Sequence, residues 1–325
     1  MQRRLLPLIT IMVLCCQTLA AQNLIHRVDS FLSARYYREG VFDTTYITRP
    51  KTRWTLITRL NFSGMDIESK GYDQGRRFKS VMQANRKTTI SLGASYLGVA
   101  LSLSLNPAQL AGKYHDFEIN FKSYGRRFGF DVSYTDAKNF EGWYDADGLP
   151  RYTLPDGTLA VKTLNANAFY IFNHRRFSYP AAFSHNYIQR RSAGSFLLAA
   201  SFQWQHAFHD WDQDTKLRMT NIGLGAGYGY NFVPHRGWLL HLSALPTFIL
   251  YSHTSMTFGE DRIPLHYHFP EVIITSRGAV VRQWTKTYAG ISMRFNFTNI
   301  GSEKSLAVHN QKWLARAFYG IRLGK

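Results

Sequence analysis

Cysteine is almost missing from this chain: the two present, Cys15 and Cys16, both stand near the amino terminus. They belong to a stretch that reads as a secretory leader, with Arg3-Arg4, an apolar run from Leu5 to Cys16, and small residues at Thr18, Ala20 and Ala21. Bulky Leu14 ahead of Cys15 argues against lipoprotein processing. Cleavage after Ala20 or Ala21 is expected, leaving a secreted protein with neither thiols nor disulfides. Charge is scarce too. Asp, Glu, Lys and Arg make up 18% of the chain, whereas a soluble domain carries about 25%. Beyond residue 21 no apolar run reaches the roughly 20 residues a membrane helix needs. Glycine-rich phosphate loops, zinc-type cysteine pairs and paired acids in a recognisable setting are all lacking. No cofactor or metal is therefore expected.

Rings and bases are plentiful instead. Aromatics reach 15%, with 23 Phe and 19 Tyr, as expected where rings line two membrane–water interfaces. The formal net charge is +18. Its bases come as pairs and short clusters, Arg76-Arg77, Arg126-Arg127, His174-Arg175-Arg176 and Arg190-Arg191, which suits solvated rims rather than a nucleic-acid track.

Alternation of period two runs through the chain. Trp54, Leu56, Leu60 and Phe62 share one face against Arg59 and Asn61. Phe117, Ile119 and Phe121 alternate with Glu118 and Lys122, and Phe128, Phe130, Val132 and Tyr134 with Asp131 and Ser133. Phe196, Leu198, Phe202 and Trp204 align, as do Ile222, Leu224, Tyr228 and Tyr230 opposite Gly223, Gly225, Gly227 and Gly229. Ile291, Met293 and Phe295 oppose Ser292 and Arg294. Rings recur near the ends of such runs, among them Trp54, Tyr124, Trp238 and Trp313. Apolar outside and charged inside is the pattern of a barrel in lipid, and the inverse of a soluble sandwich.

The expected fold is all-β, an antiparallel transmembrane barrel of about 12 strands (10–14). Strands are expected near 54–62, 86–96, 98–105, 115–124, 127–136, 161–172, 192–206, 217–231, 237–251, 267–276, 280–297 and 312–323. The domains divide as leader 1–21, a periplasmic segment 22–52 and a barrel 53–325. Ile25, Val28, Phe31 and Leu32 suggest a short periplasmic helix in the second. The glycine row reads as room for curvature, with a smooth wall beside a ligand or plug as the alternative.

Tyr46-Ile-Thr-Arg-Pro50 leading to Trp54, Ser91 to Tyr96, Asn173-His-Arg-Arg-Phe-Ser-Tyr179, Ala181-Ala-Phe183, Gln189 and Ser192-Ala-Gly-Ser195 together carry a family likeness. The chain resembles an uncharacterised outer-membrane family of Bacteroidetes, domain of unknown function 4421. That resemblance implies an outer-membrane barrel and brings no activity, ligand or catalytic residues.

Two kinds of candidate site follow. Arg59, Glu118, Lys122, Asp131 and Arg294 are expected to face the lumen and set selectivity, or pair and seal it. The basic cluster of His174, Arg175, Arg176, Arg190 and Arg191, interleaved with rings, reads either as a surface that meets lipopolysaccharide phosphates, outer-membrane lipid or an envelope protein, or as a structured turn whose Ser192-Ala-Gly-Ser195 tail starts a strand. Nucleic acid is not expected. Catalysis is the weaker alternative: His206, His209 and Asp210, or Ser252 and His253, offer rim material for a lipid- or lipopolysaccharide-modifying enzyme. His266 and His268 share a strand face but lack a third metal ligand. A narrow channel or accessory barrel of the envelope is the leading expectation, and a purely structural, partner-binding barrel a further alternative.

Overall fold

The computed structural model describes residues 26–324 except 35, 39, 74, 98, 113–116, 210–215, 259–260, 266–269 and 303–305. The leader thus lies outside the described residues. Sixteen strands follow in chain order. The first eight are β1 (Ile47–Thr48), β2 (Trp54–Asp73), β3 (Arg76–Ala84), β4 (Lys87–Tyr96), β5 (Val99–Leu105), β6 (Phe117–Tyr124), β7 (Phe128–Ala146) and β8 (Tyr152–Ile171). The rest are β9 (Ile188–Gln189), β10 (Ala193–His209), β11 (Lys216–Phe232), β12 (Trp238–Phe258), β13 (Asp261–Leu265), β14 (Val272–Gln283), β15 (Thr287–Gly301) and β16 (Leu306–Leu323).

Ten of them form a closed antiparallel ring, in the order β2, β3, β7, β8, β10, β11, β12, β14, β15, β16, with β16 returning to β2. Closure leaves this ring without open edges, the condition lipid imposes on a sheet. The expected count of about 12 (10–14) resolves to ten in the ring; of the other six described strands, β4, β5, β6 and β13 attach to the same sheet and β1 and β9 pair with each other. The reason is visible in β2, which is too long for one partner. Its Asp66–Asp73 half pairs with β3 and its Trp54–Ser63 half with β4. Between those halves Gly64 and Met65 face Ala84, Asn85 and Arg86, so β3 and β4 are one strand carrying a bulge. Likewise β7 pairs with β6 along Gly129–Asp136 and with β3 along Phe140–Ala146. β5 and β6 are therefore short hairpin arms attached to β4 and β7 at one end of the barrel.

Two other expectations are corrected. The strand expected across 280–297 is two strands, because a turn at Trp284–Lys286 divides them, and the strand expected at 267–276 begins only at Val272. β3 lacked a clean alternation and was not expected at all. Residues 26–34 are helical.

The two faces of the wall differ as the alternation implies. Outward stand Phe196, Leu198, Leu224, Leu242 and Ile291, all exposed. Inward stand Ser201, Gln203, Gln205, Asn221 and Arg277, all buried. Large apolar side chains facing out and polar ones buried in a closed ring are the surface distribution of a transmembrane barrel.

The interior is filled. Towards the β2–β3 turn, Met65, Ile67, Met82, Phe140, Val161 and Val308 form an apolar cluster. Below it lies a small polar cavity of about 40 Å³, lined by Asn165, Asn167, Gln203, Asn296, Asn310 and Lys312 among others. That is room for a few waters. Below this again comes a layer of ion pairs, and then the β8–β10 connection.

Candidate functional site

Residues 173–191 leave β8 and re-enter the barrel at the end where β2 begins and β16 finishes. Local chemistry shapes the segment. The Asn173 amide donates to Ser195 Oγ at 2.9 Å and its side chain to the Gly194 carbonyl at 2.8 Å, which fixes the departing turn. Ser178 caps the short helix Tyr179–Phe183, accepting the Ala181 amide, and Pro180 sits in its first turn. His185 ends it with φ of 60°, a left-handed conformation that a bulky residue holds only when its surroundings fix it.

The surroundings do so. Phe177 and Tyr179 are fully buried. The Tyr179 ring meets Phe169 of β8 at 4.8 Å, Tyr124 of β6 at 5.6 Å and His241 of β12 at 5.2 Å. His185 lies across Tyr288 of β15 at 4.6 Å and Phe318 of β16 at 4.4 Å. The segment thus touches strands around most of the wall: it is a plug. Tyr124, expected as an interfacial ring, is instead one of the plug's packing surfaces.

Polar anchors complete the fit. Gln189 Nε2 donates to the carbonyls of Arg176 at 2.6 Å and Arg191 at 2.9 Å, while its Oε1 accepts from the Ser178 amide and from Asn231 Nδ2. Asn231 also donates to the Ser178 carbonyl at 2.9 Å, so its Oδ1 is left to face His241 Nδ1 at 2.6 Å. An amide oxygen only accepts, so the Nδ1 of His241 carries the proton and Nε2 accepts from the Ser243 hydroxyl at 3.0 Å. Ser, His and Asn stand here in the order of nucleophile, base and orienting group. The ring, however, is shut in by Phe177, Tyr179 and Phe183, and Ser243 is buried and lines neither described cavity. As it stands, the relay fastens the plug to β11 and β12.

The ion-pair layer bears on the plug from above. Arg277 Nη1 donates to the Tyr179 hydroxyl at 2.5 Å and its Nη2 to Asp131 at 2.7 Å, and Arg294 reaches the other Asp131 oxygen at 2.6 Å. Asp131 is 1% exposed, and a carboxylate so buried persists only when paired. Lys122 stands opposite it in register on β6. Arg316 donates to Asn61 at 2.6 Å, and Lys312 lies 3.1 Å from Thr135 Oγ1 and 3.9 Å from Glu118. Arg59 is half-buried on the same inner face. Asp131 and Arg294 are thus brought into direct contact, while Arg59 stands apart from them. Sequence reasoning missed Arg277, because β14 was split wrongly and its faces could not be read.

The glycine row serves both readings. A Cβ on Gly225 would fall 2.1 Å from the Pro246 carbonyl oxygen, so backbone approach requires glycine there, whereas Gly229 leaves its space to the Phe177 ring of the plug.

The basic cluster rims the plug on its open side. Arg175, Arg176, Arg190 and Arg191 are exposed. His174 Nε2 accepts from Arg127 Nε at 3.1 Å, and partial burial lowers its pKa. Arg176 lies 3.5 Å from Asp43, whose carboxyl is held below its ordinary pKa by the Thr45 hydroxyl and amide and by Arg176 itself. The segment before the barrel reaches this rim: β1 pairs with β9, Arg49 donates to the Tyr187 hydroxyl at 2.7 Å, Tyr96 donates to Asp29, and Arg126 donates to the Val41 carbonyl.

The rim candidates for catalysis do not assemble. Ser252 turns into the lumen and donates to Asn221 at 2.8 Å, while His253 is exposed on the opposite face. His206 packs between Trp204 and Phe208. The His209 side chain, Asp210, His266 and His268 lie outside the described residues. Among the described residues, no cluster of three or more His, Cys, Asp or Glu could hold a metal.

No curated protein matches the chain. Solved structures that resemble it include the outer membrane protein OprG from Pseudomonas aeruginosa, 11% identical over 84% of this chain and 98% of that one, with a TM-score of 0.29. The outer membrane protease OmpT from Escherichia coli is 6% identical over 84% and 97%, with a TM-score of 0.39. The toluene transporter TodX from P. putida is 7% identical over 84% and 91%, with a TM-score of 0.27. Likeness at this level carries no argument, and the barrel rests on its own strand pairing. A family profile described as Domain of unknown function (DUF4421) matches residues 41–322, which contain the plug and all of the ring but Leu323. The chain belongs to the DUF4421 family.

Proposed function

We propose that the protein is an outer-membrane barrel held shut by its own 173–191 plug, an accessory barrel of the envelope whose lumen opens only when that plug is displaced. The observation that carries this is the plug's attachment: rings, a Gln189–Asn231–His241 chain and the Tyr179–Arg277 bond tie it to strands around the wall. The apolar cluster of Met65, Ile67, Met82 and Phe140 adds a second barrier above it. Apart from the plug, the connections at the Trp54 and Leu323 end are short, 125–127, 233–237 and 284–286 among them, while the opposite end has both the short 74–75 connection and the longer 259–271 excursion that contains β13. Short turns face the periplasm in bacterial barrels, which supports a periplasmic basic rim. There it meets inner-leaflet headgroups or an envelope protein rather than lipopolysaccharide.

Single-channel recording of the refolded protein in a planar bilayer tests the reading. Wild type is expected to be silent, and Gln189→Ala/Asn231→Ala combined with Phe140→Ala, which thins the second barrier, to show discrete steps. Steady large conductance from the wild type would sink the proposal.

A further inference from the structure

Where the N-terminal segment meets the plug rim there is a second cavity, of about 270 Å³, lined by Thr44, Thr45, Arg190 and Arg191. Thr44 and Thr45 stand just before β1, and Arg190 and Arg191 just after β9. The cavity therefore straddles the junction of the two segments, where the Arg190 amide donates to the Tyr46 carbonyl at 2.7 Å. The acid beside it is already engaged: Asp43 accepts from the Thr45 amide at 3.0 Å and hydroxyl at 2.6 Å and faces Arg176. Arg190 reaches only the Thr44 carbonyl, at 3.4 Å, and Arg191 lies 6.0 Å from the centre of the Tyr46 ring. Arg190 and Arg191 carry no carboxylate among the described residues, and as lining residues of the cavity they can present guanidinium forks to a ligand in it. Guanidinium forks match phosphate oxygens bidentately.

We propose that this cavity binds a phosphate monoester carrying a small alcohol or sugar, and that the bound phosphate clamps the N-terminal segment to the plug. The volume exceeds that of a bare phosphate, which is why a small attached group is included. The clamp rests on the plug reading above, whereas binding itself does not, so the two can fail separately. The phosphate comes either from a soluble ester or from a lipid headgroup.

The full chain in detergent is titrated calorimetrically with glycerol 3-phosphate, and separately with micelles of dihexanoyl phosphatidic acid against dihexanoyl phosphatidylcholine. Saturable binding is expected, weakened at least tenfold in Arg190→Gln/Arg191→Gln and left unchanged in Arg175→Gln, which lies outside the cavity. Binding of the soluble ester supports a soluble source, and binding of phosphatidic acid alone supports a headgroup. Absence of binding to both, or binding that the double variant retains, overturns the site. Proteolysis of the 36–50 segment then reads the clamp: the ligand is expected to slow cleavage in wild type but not in the double variant. Binding without any such protection overturns the clamp and leaves the site.

Discussion

The two sides of the barrel are built differently. From β10 to β16 the ring strands pair over long stretches, Ala193 to Phe208 against Asn231 to Lys216 being an example, with one irregularity at Ile222/Gly223 and the short β13 beside the far end of β12. From β2 to β7 no such simplicity holds, since β2 is shared by β3 and β4 and β7 by β3 and β6. The regular side shows what lipid demands of a wall, an apolar outer face and satisfied backbone groups. The irregular side shows how a barrel gains a wider mouth at one end, with β5 and β6 as added arms where the plug enters. Asp131 of β7 joins the two sides across the lumen through Arg277 of β14 and Arg294 of β15.

The sharpest way to break that union is Asp131→Ala. It leaves buried Arg277 with only the Tyr179 hydroxyl and takes the carboxylate from half-buried Arg294, and removing one member of a buried pair costs about 3–5 kcal/mol. Chemical denaturation followed by tryptophan fluorescence should show the loss, and Asp131→Ala with Arg277→Met should recover part of it. A loss under 1 kcal/mol would mean the sides are not tied here.

Next in size is a charge on the lipid face. Leu224→Arg on the regular side should cost about 2–4 kcal/mol if the residue lies near the bilayer midplane, reducing the folded fraction on an unboiled gel. Leu103→Arg on the short β5 arm, nearer the mouth, is expected to cost less. Equal losses would erase the proposed distinction between the sides.

Gln189→Ala leaves the buried Ser178 amide without its acceptor and takes one of two acceptors from Asn231 Nδ2, at about 1–3 kcal/mol. Because these groups fasten the plug and not the wall, protease cleavage within 173–191 should rise while the barrel's own unfolding midpoint moves little. A shift of both together would make plug and wall one cooperative unit.

The smallest effect is acid loosening of the plug. Burial, reinforced by Arg59 of β2 and Arg322 and Arg316 of β16, holds the His185 pKa well below its ordinary value; the phenol of Tyr288 also faces it. The unfolded segment binds a proton that the seated plug refuses. Stability is therefore retained above pH 6.5 and lost as pH falls below it, by up to about 1.4 kcal/mol per pH unit. Plug cleavage should accelerate from pH 7.5 to pH 5.5 in wild type and respond less in His185→Asn, a residue that tolerates the left-handed backbone. An undiminished response would place the proton elsewhere.

Alternation alone made β10, β11 and the outer face of β2 legible, because the wall has lipid on one side and polar groups on the other and side chains alternate with period two. The inward placement of Asp131 and Arg294 follows from the same rule. Fold class and the outward faces of the regular strands are thus local properties, readable from alternation. Tertiary structure alone decided the ring of ten, since one extra residue opposite Gly64 and Met65 lets a single strand serve two partners. It alone made 173–191 a plug, because Tyr179, His185 and Gln189 acquire their roles from Arg277, Phe318 and Asn231, each far away in the chain. Periodicity reports the environment of one strand; closure and plugging depend on pairings between distant ones, which no local pattern encodes.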